Sequence, residues 1–281
     1  MSIFVAYTVA GPDCEDVSPF AFPLPFEDAL PSLRRIGYDG VEMLLRQPSP
    51  SDARVIGDAL ARQDLRLAAV STAPLVREDG LSLSAAEPVS RKTAIARVIE
   101  HLEFVAQVDP RAIVNIGRVR GAPMAGHEEV QLERLLDALE AVAVAAMRIG
   151  VTVVLEPQRS GDGGVLHTLR EVADVTARLG PDPSAPTLGA MLDTYHLAAE
   201  ADSPTAVIHQ AGPLLRYMHL AGPAREPLAA DQTIVRETLQ ALADEDYQGW
   251  VAMEHAQDPD GETAAAQSLR TATALLGSDA R

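Results

Sequence analysis

Short apolar runs alternate with longer amphipathic segments from one end of the chain to the other. Most of the runs are continuously apolar, which is typical of strands covered on both faces of a parallel sheet. Eight such runs predict strands at residues 3–8, 40–45, 67–72, 112–116, 151–156, 188–193, 215–220 and 249–254. Strands and helices that alternate eight times without hairpins favour an α/β fold of the closed (β/α)8 barrel type, with an open doubly wound sheet as the alternative.

The intervening segments carry helical periodicity of different strength. The clearest helix is predicted over 128–149, where apolar residues recur at three- and four-residue spacing and Gly150 follows as a stop. Helices are also predicted over 91–108 and, at only two turns, over 204–210. Because no low-complexity linker interrupts the pattern, residues 1–281 are expected to form a single barrel domain.

Composition narrows the classes of function. A net charge of −17 opposes binding to nucleic acid, since phosphate backbones are bound mainly by Lys and Arg. The single cysteine, Cys14, excludes an internal disulfide, and the first residues have neither the basic nor the apolar region of a secretory signal. No apolar stretch reaches the roughly 20 residues that span a bilayer. These features predict a soluble cytoplasmic protein without a membrane or nucleic-acid partner.

Four potential metal ligands stand at the ends of consecutive predicted strands. Glu156, Asp193, His219 and Glu254 are separated by 37, 26 and 35 positions, near the roughly 30 residues of one βα unit. In a closed barrel the carboxyl ends of all strands meet at one mouth, so these side chains are expected to converge. Three carboxylates and one imidazole suit Mn²⁺, Mg²⁺ or Co²⁺ better than a structural zinc.

Each ligand also has an ordinary structural explanation. Glu156 has Arg118 and Arg159 as potential ion-pair partners, Asp193 could cap the next helix, and His219 could be a hydrogen-bonded core histidine. Four coincidences at successive strand ends are less probable than one shared site, which favours the metal interpretation.

Several motifs together resemble the xylose isomerase-like barrel superfamily. They are GYDGVEML at 37–44, LEP at 155–157, LDTYH at 192–196, a histidine at 219 with an arginine six residues later, and the glutamate at 254. Within the superfamily the sequence is most similar to the D-tagatose 3-epimerase and D-psicose 3-epimerase family. The resemblance extends over essentially the whole chain.

This resemblance implies a metal-dependent isomerase or epimerase of keto-sugars that removes a proton next to the carbonyl and forms an enediolate. It implies that the four strand-end ligands hold one divalent ion, Mn²⁺ foremost, and that Glu156 and Glu254 are the acid/base pair. His196, Arg225 and Glu42 are expected to contact the sugar. Relatives of this kind form dimers or tetramers, so a homo-oligomer is expected.

Two departures leave other activities open. Tyr217 stands where the ketose epimerases are expected to have a second histidine, and Asp162 stands where they have a further substrate-binding glutamate. The alternatives are aldose–ketose isomerisation, dehydration of a keto-sugar, cleavage of an oxidised C-glycoside, and a barrel that binds a sugar or partner without turnover. The superfamily also includes a DNA-repair endonuclease, an activity that the charge of −17 opposes.

Overall fold

Eight parallel strands close into one barrel in which each strand pairs with its neighbours in the chain and the last pairs with the first. The computed structural model describes residues 3–15, 18–162, 164–180, 187–200 and 202–277. The strands are β1 (Ile3–Ala10), β2 (Gly40–Leu44), β3 (Arg66–Ser71), β4 (Ile113–Ile116), β5 (Thr152–Leu155), β6 (Leu188–Asp193), β7 (Leu215–Leu220) and β8 (Gly249–Met253). The predicted (β/α)8 barrel is therefore confirmed.

Helices follow the strands and pack around the barrel. They are α1 (Phe26–Ile36), α2 (Pro50–Arg62), α3 (Ala73–Arg77), α4 (Pro88–Val108), α5 (Glu128–Ile149), α6 (Leu169–Leu179), α7 (Thr194–Ala199), α8 (Pro204–Ala211), α9 (Thr233–Asp244) and α10 (Gly261–Leu276). Among the described residues, no helix is both long and apolar enough to cross a membrane.

The element boundaries differ from the predicted ones by a few residues at most. The helix predicted over 128–149 is confirmed at both ends, and Gly150 adopts the left-handed conformation that ends it, with φ +82°. The helix predicted over 91–108 begins earlier, at Pro88, because the Glu87 carboxylate caps it by accepting the Val89 and Ser90 amides. Strand β1 runs two residues further than predicted, since Ala10 still pairs with Leu44.

Apolar residues form two separate cores. The larger one lies between the outer faces of the strands and the helices. A small second cluster lies among inward-facing strand positions and consists of Ala6, Ala68, Ala69, Ile113, Val154, Met191, Tyr217 and Ala252, with Trp250 packed against it. The barrel interior is thus filled by side chains, as in other closed (β/α)8 barrels.

Candidate active site

The four strand-end ligands continue the inward-facing rows of the barrel interior. Each stands two residues after a member of the inner cluster: Glu156 after Val154, Asp193 after Met191, His219 after Tyr217, and Glu254 after Ala252. Because side chains alternate between the two faces of a strand, residues two apart point to the same side. Glu156 and Glu254 lie just past the ends of β5 and β8, yet their amides still bond the neighbouring strands, at 3.3 Å from Ile116 O and Leu220 O.

Three of these ligands meet in space. Ligand atoms of Glu156, Asp193 and His219 all lie within 4.8 Å of one another, and all three residues are buried. Asp193 and His219 are direct partners in the β6–β7 ladder. The fourth residue, Glu254, approaches the group through its Oε2, which lies 3.5 Å from Nδ1 of His219. The predicted convergence at the carboxyl end of the barrel is what the structure shows.

Asp193 contributes to the fold and to the site at the same time. Its Oδ1 accepts a hydrogen bond of 2.9 Å from the Tyr195 amide and so caps α7. Its Oδ2 faces the site, at 2.9 Å from Nη2 of Arg225. Helix capping and cluster formation, which are alternatives at the level of sequence, are therefore both realised by one carboxylate.

Arg225 lies between two of the carboxylates. Its guanidinium donates to Asp193 and to the Glu254 carboxylate, and it also donates to the Glu254 carbonyl at 3.1 Å. Its backbone is left-handed, with φ +63°, in the turn that follows β7. The guanidinium also lies over the ring of Tyr195, at 4.4 Å from the centroid, and over Phe20 at 4.9 Å. Arg225 is thus held as a fixed cation at the mouth.

The carboxylate of Glu156 is oriented by neutral and weakly basic groups. Gln158 donates to its Oε2 at 2.7 Å, and Nε2 of His196 lies 3.6 Å from its Oε1. Arg118 and Arg159, the arginines considered as partners of Glu156, both pair with Asp162. Both arginines therefore form their ion pairs with Asp162 and not with Glu156.

His196 faces the same cluster with a defined tautomer. The backbone amide of Arg159 donates to its Nδ1 at 3.4 Å, so Nδ1 is the acceptor and the ring proton lies on Nε2. That Nε2 is directed at Glu156 and lies 3.9 Å from Asp193 Oδ2. His196 can therefore donate a hydrogen bond to an oxygen placed in the mouth.

Glu42 is buried behind His219, on the inner face of β2. The resemblance implies a contact with the sugar, and in the structure its Oε2 lies 2.5 Å from Nε2 of His219 and the residue has no exposed surface. His219 is thus a buried, hydrogen-bonded histidine on one side of its ring. On the other side its Nδ1 has no hydrogen-bond partner among the described residues.

The charges at the site shift the pKa values of its members. Burial alone would raise the pKa of Glu254, but the positive charges of Arg225 and His219 outweigh burial and hold this pKa well below its usual value. Burial alone would lower the pKa of His219, but the negative charges of Glu42 and Glu254 raise it well above its usual value. The site therefore keeps Glu254 ionised and favours positive charge beside it.

The arrangement fits a divalent cation. Ionised carboxylates and an imidazole nitrogen are ligands of Mn²⁺, Mg²⁺ and Co²⁺, and the buried Nδ1 of His219 lacks a protein hydrogen-bond partner in the described residues. A buried nitrogen without a hydrogen-bond partner costs free energy unless another group, such as a cation, binds it.

Two contributing residues are absent from the sequence prediction. Gln158 donates to Glu156 and orients it. Its position two residues after a strand-end glutamate is visible in the sequence and could have indicated this role. Arg120 donates to the carbonyl of Glu156 and is only 1% exposed. Since arginine is rarely buried, no local pattern indicates this role.

Comparison with known proteins identifies the family. The family model described as xylose isomerase-like TIM barrel matches residues 30–275. The chain belongs to this family. The xylose isomerase-like barrel described here is 23% identical over 244 residues to a Synechocystis protein named "Probable ketose 3-epimerase", which covers 85% of this chain and 80% of that protein.

Solved structures share the fold of this xylose isomerase-like barrel at low sequence identity. D-psicose 3-epimerase with D-tagatose, from Clostridium cellulolyticum H10, has a TM-score of 0.77 and 19% identity, covering 96% of this chain and 99% of that one. A 3-keto-D-glucoside 4-epimerase from E. coli also has a TM-score of 0.77, with 16% identity and the same coverage.

Proposed function

We propose that this xylose isomerase-like barrel is a divalent-metal-dependent epimerase of keto-sugars, which removes and returns a proton on the carbon next to the ketone. The observation that carries the proposal is the buried cluster of Glu156, Asp193 and His219, with Glu254 against it. Relatives and structural neighbours named as ketose and keto-glucoside epimerases support the same reaction class.

Glu156, Asp193, His219 and Glu254 would hold the cation, with Mn²⁺ as the proposed ion. When bound, a divalent cation supplies Lewis-acid stabilisation of the negative charge that develops on the substrate oxygens as the proton leaves.

The two glutamates suit proton transfer from opposite sides. Glu156 comes from the end of β5 and Glu254 from the end of β8, so β6 and β7 separate them around the mouth. The lowered pKa of Glu254 keeps its carboxylate ionised at neutral pH, which is the form that a general base starts from. We propose that one glutamate removes the proton and the other returns it to the reverse face of the enediolate, which inverts the carbon.

His196 and Arg225 are proposed to position the sugar. His196 presents its Nε2 proton to the mouth, and Arg225 presents a guanidinium fixed by Asp193 and Glu254. Both groups donate hydrogen bonds, which suits hydroxyl and carbonyl oxygens.

Psicose is a 2-ketose, and in a 3-keto-glucoside the ketone is at carbon 3, so the names of both neighbours place the inverted carbon next to a ketone. A small-molecule keto-sugar is the proposed substrate.

The test is turnover by the chelator-treated and reloaded protein. Free 2-ketohexoses, 2-ketopentoses and 3-keto-glucosides are incubated with protein treated with EDTA and with the same protein after addition of Mn²⁺ or Co²⁺. The proposal predicts an epimer at the carbon beside the ketone in the reloaded samples and none after EDTA. Turnover that persists unchanged in EDTA, or no epimer from any sugar by protein with confirmed bound metal, would contradict it.

A further inference from the structure

A carboxylate that the proposed reaction does not use lies behind His219. Glu42 is on β2, at an inward-facing position beside Thr8 of β1 and Ala69 of β3. Its Oε2 is 2.5 Å from Nε2 of His219, and the residue has no exposed surface. Taking an ionised carboxylate out of water costs several kcal/mol unless a strong partner compensates. The hydrogen bond to His219 is the contact that the distances show, and the Tyr217 hydroxyl also faces this carboxylate.

The contact determines which nitrogen of His219 faces the site. A carboxylate only accepts hydrogen bonds, so Nε2 must carry a proton and donate it to Glu42. In a neutral imidazole the other nitrogen, Nδ1, then keeps its lone pair. Nδ1 is the atom that lies 3.5 Å from Oε2 of Glu254 and lacks a hydrogen-bond partner among the described residues. A histidine that binds a metal is neutral, and the lone pair of Nδ1 is then directed to the acidic cluster.

Tyr217 encloses this pair of groups. It precedes His219 by two residues on the same inward face of β7, and the two ring centroids are 5.7 Å apart. Tyr217 and Glu42 are 0% exposed and His219 is 2% exposed. Since water is excluded, the hydrogen bond between Glu42 and His219 acts in a low-dielectric environment and holds the ring more firmly than an exposed pair would.

We infer that Glu42 is a positioning residue for the metal centre: through the hydrogen bond to Nε2 it fixes the ring orientation and tautomer of His219, so that Nδ1 is the ligand atom. This inference rests on the proposed function. A carboxylate that bonds the far nitrogen of a metal-bound histidine typically changes metal affinity 10- to 100-fold when it is removed.

The first test measures metal binding and needs no activity. Isothermal titration of the EDTA-treated, desalted protein with Co²⁺ and with Mn²⁺ is compared for the wild type, Glu42→Gln and Thr8→Val, a change at the buried position beside Glu42. Glutamine keeps the size of the side chain but accepts more weakly and can itself donate to Nε2, which moves the ring proton to Nδ1. We expect Glu42→Gln to weaken binding 10- to 100-fold. Thr8→Val, which keeps the size of the side chain and removes a hydroxyl without a hydrogen-bond partner among the described residues, is expected to weaken it less than 3-fold.

A second readout separates positioning from general damage to the core. In Mg²⁺-loaded protein labelled with ¹⁵N-histidine, the His219 signals are assigned by their loss in His219→Gln. The wild type is expected to show a protonated Nε2 and a proton-free Nδ1, a pattern that Glu42→Gln alters while circular dichroism stays unchanged. A wild-type spectrum with the proton on Nδ1 would overturn the inference.

The outcomes distinguish this inference from the proposed function. Weakened binding in Glu42→Gln together with no epimerisation by the wild type would uphold the positioning role and reject the reaction. Equal affinities of the wild type and Glu42→Gln in an active epimerase would reject the positioning role alone. Equal losses in Glu42→Gln and Thr8→Val would assign the effect to packing and overturn the inference, as would a wild type that binds neither ion.

Discussion

Single carboxylates in this barrel serve both the fold and the chemistry. Asp193 caps α7 with one oxygen and faces Arg225 with the other, and Glu156 keeps its backbone bond to β4 while its side chain turns to Gln158 and His196. Sequence predicts such residues because a carboxylate at the end of an apolar strand is conspicuous. It does not predict Arg120, whose buried guanidinium donates to the carbonyl of a residue 36 positions away in the chain.

Replacing Asp193 separates its two roles. Asparagine retains an oxygen that accepts from the Tyr195 amide, but it lacks the negative charge that faces Arg225. We therefore expect Asp193→Asn to lose metal affinity while α7 stays capped, and Asp193→Ala to be a further ~1 kcal/mol less stable. Titration calorimetry with Mn²⁺ and urea unfolding in EDTA measure the two effects. Equal stability of the Asn and Ala variants would show that the cap contributes nothing.

Replacing Glu254 should remove proton transfer directly. Glu254→Gln keeps the shape of the side chain, and we expect turnover to fall about 10²- to 10⁴-fold, the usual contribution of a general acid or base. The matched control is Glu237→Gln, which changes an exposed glutamate on α9. Initial rates of epimer formation by NMR test the effect, and a Glu254→Gln rate equal to that of the control contradicts the assigned role.

At the scale of elements, the accuracy of prediction follows the strength of local signals. The ends of α5 are predictable because periodic apolar residues stop at Gly150, which takes a left-handed conformation. Helix α4 begins at Pro88, before its predicted start at residue 91, because the side chain of Glu87 caps it. The strand pattern predicts the barrel, whereas the position of Glu42 against His219 depends on long-range closure of β2 with β7 across the interior.

Helix α4 carries a buried histidine that should make stability depend on pH. His101 lies between two backbone carbonyls, with Nδ1 2.7 Å from Arg97 O and Nε2 2.9 Å from Leu45 O just after β2. A neutral ring donates to only one of these carbonyls, and burial lowers the pKa of His101 below the usual 6.5 although the nearby carbonyl oxygens favour the charged form. As pH falls below 6.5 the unfolded chain therefore takes up a proton before the folded one does, and the free energy of unfolding decreases.

The expected contribution is up to ~1.4 kcal/mol per pH unit, from 6.5 down to the lowered pKa of the folded state. Urea unfolding of the wild type and His101→Gln between pH 7.5 and about 5 measures it, and the variant should show the flatter dependence. His127→Gln, at an exposed histidine, is the control. If the free energy of unfolding changed equally with pH in all three proteins, the result would contradict a buried, neutral His101.

At the scale of the whole molecule, the barrel brings together ligands that are far apart in sequence. Glu156, Asp193 and His219 meet because neighbouring parallel strands end at the same rim. The net charge of −17 adds to the attraction of a cation and opposes a nucleic-acid substrate. The sequence thus predicts the barrel and the meeting of the ligands, while the sugar that enters the mouth depends on side-chain positions that local patterns do not encode.

Metal binding should stabilise the folded barrel. A ligand that binds only the folded state at 100 times its Kd adds about 2.7 kcal/mol to the free energy of unfolding. We expect Mn²⁺ to shift the urea midpoint of the wild type upward and to shift that of Asp193→Asn less at the same concentration. Midpoints that do not respond to Mn²⁺ in the wild type would contradict a site formed by folding.

The central claim is that the barrel removes and returns a proton beside a ketone. The most direct measurement is NMR of keto-sugars incubated in D₂O with the Mn²⁺-loaded protein, with the metal removed before the spectra are recorded. The account predicts deuterium at the inverted carbon next to the ketone, at no other carbon, and at a rate that Glu254→Gln strongly reduces. Epimer formed without deuterium at that carbon, or no exchange in any sugar by the metal-loaded protein, would contradict it.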